Sequence, residues 1–87
     1  MSLKDKRIVC CDSAKSQARM RIDLVYNDIK QRNIMRLARG YTQKDLDDMN
    51  KFIDDIRSKC DAYESEIMQS DDPDAVKIKI NYKDIKP

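Results

Sequence analysis

LDDMNKFIDDIRSKCDAYESEI, residues 46–67, decides how this chain folds. Its apolar residues Leu46, Met49, Ile53, Ile56, Cys60, Tyr63 and Ile67 are spaced 3, 4, 3, 4, 3, 4 without a miss. That is the a/d seam of a helix packed along its length against another helix.

Thr42-Gln43-Lys44-Asp45, just upstream, reads as a capping box, and Asp45, Asp47 and Asp48 favour the positive end of the helix dipole. Asp71-Asp72-Pro73-Asp74 terminates the pattern, so the helix is expected over 43–69. Before it, Ala14 to Arg39 contains no Gly or Pro. Asp12-Ser13 caps that stretch and Gly40 stops it, which predicts a first helix over 13–39. Gly40-Tyr41-Thr42 is too short to do anything but fold the two helices back antiparallel.

The expected fold is mainly α: a single domain over 1–87, built as a coiled-coil-like antiparallel two-helix hairpin. Short extended β segments are expected at both ends. Ile8-Val9 gives a weak β-branched signal, in competition with an early helix start capped by Ser2 and Asp5. Val76 to Lys83 alternates apolar and polar, with Val76, Ile78, Ile80 and Tyr82 on one face. That tail is expected to dock as a strand on the N-terminal segment, a second subunit or a partner's sheet edge.

The first helix should meet the second through Ala14, Ala18, Ile22, Val25, Tyr26 and Ile29, continued by Asn33 and Leu37. Facing residues should have numbers summing to about 82 in a hairpin with so short a turn. Met20, Leu24, Met35 and Ala38 form a second apolar stripe on the opposite face. A two-helix hairpin cannot cover it, so a homo-oligomer is expected, a dimer first, completing a helical bundle.

Apolar residues make up 40% of the 87-residue chain and charged residues 39%. The net charge of +2 hides an asymmetry: +6 over residues 1–40, −7 over 41–75 and +3 over 76–87. Most of this charge is expected to pair between the helices, with Arg32 and Arg36 near Asp47 and Asp48, and Arg19 near Asp61 and Glu64. The alternative is a basic face of Arg21, Arg32, Arg36 and Arg39 that contacts nucleic-acid phosphates.

Chemistry is hard to build from these residues. There is no histidine, and Gly40 is the only glycine. A cysteine nucleophile would lack its usual base, and a Gly-rich phosphate loop is excluded. Cys10, Cys11 and Cys60 match no zinc spacing, and Cys60 reads as a small core residue. The paired aspartates diverge around a helix and read as a solvated face. No catalytic, cofactor or metal site is expected, and no small-molecule substrate. An odd cysteine count without a framework suggests a reducing, cytoplasmic setting, and no apolar run is long enough to span a membrane.

The expectation is therefore a small non-enzymatic interaction or assembly protein: a structural component, adaptor or inhibitor, in the style of small phage-type accessory proteins. The alternative is a nucleic-acid-binding accessory protein.

Overall fold

The computed structural model describes the backbone of residues 1–87 and every side chain except that of Arg39. The chain is helical, in the order α1 (Leu3–Val25), α2 (Asp28–Met35), one 3-10 turn (Ala38–Gly40), α3 (Gln43–Gln69) and α4 (Pro73–Lys79). No strand occurs. The molecule is a rod of 51 × 18 × 15 Å.

Helix α3 matches the seam in both position and face. Thr42 and Asp45 form a reciprocal capping box: the Asp45 amide donates to Thr42 Oγ1 at 3.3 Å, and the Thr42 amide donates to the Asp45 carboxylate at 2.8 Å. Met49, Ile53, Ile56, Cys60 and Ile67 are buried, with Leu46 and Tyr63 packed against them. Phe52, outside the seam, is among the largest fully buried side chains. It widens the stripe because α3 meets more than one neighbour, as globular helices do and strict coiled coils do not.

The first arm departs from expectation at both ends. Helix α1 begins at Leu3, where Ser2 Oγ accepts the Asp5 amide at 3.1 Å. The expected β segment at Ile8-Val9 is therefore helical. The propensity penalty of two β-branched residues is only a few tenths of a kcal/mol each. Burying Cys10, Ala14 and Ala18 on one face outweighs it.

The predicted 13–39 helix also breaks at Tyr26-Asn27. Asn27 caps a new helix by accepting the Lys30 amide at 2.8 Å. The freed Tyr26 carbonyl accepts from Gln31 Nε2 at 2.7 Å. Helix α2 then turns through Leu37, held in the left-handed region at φ 52°, into the 3-10 turn closed by Gly40 at φ 88°. The break rotates everything beyond it. Tyr26 and Ile34 are buried, whereas Ile29 and Leu37, expected to face α3, are exposed. Lys15, not Arg19, closes an ion pair on Glu64, at 3.8 Å.

The C-terminal strand is likewise absent. Pro73 opens α4 at a position that needs no amide, and Lys77 and Lys79 sit in its last turn, where positive charge is favoured. Val76 and Ile80, four residues apart, are buried together, while Ile78 is 84% exposed. With residues 8 and 9 helical, a strand here would have no partner, and unpaired backbone groups make a lone strand unstable.

Residues 80–87 run back along the hairpin between α1 and α3. Their carbonyls, ring hydroxyls and acids reach both helices. At the open end Arg7 Nε and Nη2 donate to the Ser70 carbonyl at 3.2 and 2.9 Å, tying the start of α1 to the end of α3.

Candidate functional site

The hairpin has two grooves between α1 and α3. The chain fills one itself. Tyr82 is buried there, its ring meeting Tyr63 edge-on at 5.7 Å and its hydroxyl donating to the Ala14 carbonyl at 2.9 Å. Tyr63 Oη accepts the Asn81 amide at 3.1 Å. Lys59 donates to Asp84 at 2.6 Å. This contact pulls the Asp84 carboxyl below its ordinary pKa and raises the Lys59 ammonium above its own. The small residues of α1 make room: Cys10, Ala14 and Ala18 recur every four positions on its buried face, so the tail approaches the helix backbone closely.

Of the four tail residues read as docking anchors, Val76, Ile80 and Tyr82 are thus spent on the chain's own core, and only Ile78 faces out. The second apolar stripe is placed differently. Met20 and Leu24 are 64% and 80% exposed. They border a groove of about 480 Å³ whose other wall is Ile80 to Lys83 of the tail. Met35 is 65% exposed but lies beyond the break, on α2, and Ala38 is half-buried in the 3-10 turn. The four do not form one continuous helical stripe.

The arginines also separate. Arg21 points into the tail: its Nη2 donates to the Ile85 carbonyl at 3.0 Å, and its guanidinium lies 5.7 Å from the centre of the Phe52 ring. Its Nε is buried without a hydrogen-bond partner. It is a clasp for the C-terminal segment and is not free to meet a phosphate. Arg32 and Arg36 are exposed on and after α2, and the Arg39 side chain lies outside the described residues. The expected pairing of Arg32 and Arg36 with α3 acids is not formed. Among the described side chains every ion pair uses a lysine: Lys15, Lys44, Lys51, Lys59 or Lys79.

The second groove stays open. It measures about 670 Å³, with Ala18, Ile22, Ile53 and Cys60 along its floor and charged residues of α1 and α3 on its lips. Asp28 and Gln31 of α2 extend it.

The three thiols are free. Burial pushes each above the ordinary cysteine pKa, with Asp74 adding to the effect at Cys10 and Glu64 at Cys11. They are protonated and poorly nucleophilic. Among the described residues, no group of three or more Cys, Asp or Glu side chains is arranged to hold a metal ion, and no helix is long and apolar enough to cross a membrane.

The signal for the tail's location was Tyr82 together with Asp84: an aromatic and an acid on a chain end, opposite small residues and a lysine. Periodicity alone did not reveal it, because residues 80–87 follow neither helical nor strand spacing over enough length. Comparison with protein-family models, with curated proteins and with solved structures found no match.

Proposed function

We propose that this chain is a small non-enzymatic association protein, acting as a structural component, adaptor or inhibitor through exposed apolar helix surface. The observation that carries this reading is the Met20–Leu24 ridge. Two large apolar side chains, one turn apart and mostly in solvent, sit beside the groove formed with the tail. A contiguous exposed apolar patch rimmed by polar residues marks an interaction site, and Met20, Leu24 and the neighbouring groove are read as such a patch. The expected partner is a second copy, or another protein presenting a helix. Three free thiols suit a reducing, cytoplasmic setting.

Sedimentation at micromolar concentration tests this. The wild-type chain is expected to self-associate, or to pair with the partner captured from its host, and Leu24→Asp is expected to weaken that association by ten-fold or more. A 10.2 kDa monomer with no partner and no response to Leu24→Asp overturns the reading.

One observation favours a second reading, nucleic-acid binding. Arg32 and Arg36 are exposed, and neither closes an ion pair with a described carboxylate. Bidentate guanidinium groups suit phosphate. If they bind it, affinity for DNA or RNA falls steeply with salt, and each Arg→Ala lowers the slope of log K against log salt by about one. Absence of binding at low salt removes this reading.

A further inference from the structure

The open groove on the far side of the hairpin has a charge pattern that the chain does not use. On the α1 lip the order is Lys15, Arg19, Asp23; on the α3 lip it is Glu64, Asp61, Arg57. The Lys15–Glu64 contact at 3.8 Å fixes the level of the two lips. Counting from it at about 1.5 Å per residue, Arg19 is level with Asp61, and Asp23 with Arg57, to within about one residue's rise.

Every level therefore carries one positive and one negative lip, and the signs exchange lips between the Arg19–Asp61 and Asp23–Arg57 levels. Only the Lys15–Glu64 level is closed within the chain; Arg19, Asp23, Arg57 and Asp61 are exposed and form no ion pair with described residues.

We propose that this groove is the face on which a second copy of the chain docks, with a two-fold axis parallel to the helices. Helix α1 then lies over α3 of the other copy. Arg19 meets the partner's Asp61, Asp23 meets the partner's Arg57, and symmetry repeats both pairs.

An unrelated peptide could complement one lip. A second copy turned about this axis complements both at every level, because each lip is the other's charge inverse. The apolar floor of Ala18, Ile22, Ile53 and Cys60 supplies the centre of the contact. Met35 extends it: it falls on the same side of α2 as Asp28 and Gln31, which line the groove, at spacings of three and four. A face 51 Å long and 18 Å wide has room for the roughly 800 Å² per partner that a stable interface buries. The product is a four-helix bundle with antiparallel neighbours.

The proposal rests on the reading of the chain as a self-associating protein. It moves self-association from the Met20–Leu24 ridge to the groove and leaves the ridge for the other protein, so on this proposal Leu24→Asp weakens only that second contact and the dimer survives it.

Two single charge reversals test it, Asp23→Arg and Arg57→Glu, both at exposed positions. Circular dichroism should show unchanged helix content in each. In sedimentation velocity the wild type is a dimer. Each variant alone sets like charges against each other twice and dimerises at least ten-fold more weakly. An equimolar mixture of the two restores the dimer, because the positive charge introduced by Asp23→Arg in one copy then meets the negative charge introduced by Arg57→Glu in the other. Pairing within one chain cannot produce that rescue. A wild type that stays monomeric, variants that dimerise normally, or a mixture that fails to recover each overturns the proposal. Leu24→Asp measured alongside separates the surfaces. If it alone dissociates the dimer, the outer ridge is the contact and the groove is not.

Discussion

The Tyr82 hydroxyl donates to the Ala14 carbonyl oxygen at 2.9 Å, in the core, across 68 positions of sequence. The contact exists because residue 14 is an alanine. A larger side chain there would hold the tyrosine ring away from the helix backbone. The last eight residues are placed by this bond and by the flanking Lys59–Asp84 and Arg21–Ile85 contacts.

Replacing Tyr82 should therefore separate the ring from the hydroxyl. Tyr82→Phe is expected to cost about 1 kcal/mol, since the Ala14 carbonyl keeps its place in the helix ladder. Tyr82→Ala should cost about 3 kcal/mol or more, because it empties the groove of its largest filler. Urea unfolding followed by circular dichroism measures both. Equal costs would show that the hydroxyl, not the ring, holds the tail.

The break in the first arm depends on a cap. Asn27→Ala removes the acceptor for the Lys30 amide and should destabilise the protein by about 1 kcal/mol, while Asn27→Asp should be close to neutral. Thermal unfolding of the three proteins decides this. A stabilised Asn27→Ala protein would mean that the two helices prefer to join.

Acid should loosen the tail before the hairpin. Asp84 is pulled below its ordinary pKa, first by the Lys59 hydrogen bond. A depressed carboxyl stabilises the fold fully above its unfolded pKa of about 3.9, and that contribution disappears as pH falls through the lower folded value. Lys59 is raised, so its share persists below its ordinary pKa and is lost only as pH climbs through the folded value, at the alkaline extreme. Protection of the residue 80–87 amides, taken relative to their intrinsic exchange rate at each pH, should be flat from pH 5 to pH 9 and fall below about pH 4. Asp84→Asn should abolish the acid-dependent part. An unchanged acid profile in that variant would remove Asp84 as its source.

The thiols should react in order of burial. Cys10 is 1% exposed and Cys60 7%, while Cys11 is partly open. Labelling by a disulfide reagent at neutral pH should modify Cys11 first and the other two only as the fold opens. All three should be slower than a free cysteine, since burial raises each pKa. A fast-reacting Cys60 would contradict its place in the core.

What the sequence determined by itself is the long arm. From Leu46 to Ile67 the 3-4 spacing admits one structure, and the Thr42–Asp45 box sets its start. The antiparallel return was equally legible, from the short connection around Gly40. The apolar face of the first arm was legible as far as Tyr26 and failed beyond it. Asn27 is a good cap and a tolerable helix residue, and only packing of Ile34 and Tyr26 against α3 selects the break. Tertiary structure alone decided the two ends. Two β-branched residues and an alternating tail carry local preferences of a few tenths of a kcal/mol per residue. Burying Cys10, Ala14, Val76, Ile80 and Tyr82 together outweighs those preferences. The level of Arg19 with Asp61 across the open groove was legible from the short turn, whereas the failure of that pair to close within the chain was decided by the tertiary structure. Arg19 and Asp61 are 42 positions apart, and the Lys15–Glu64 contact fixes their common level to within about one residue's rise.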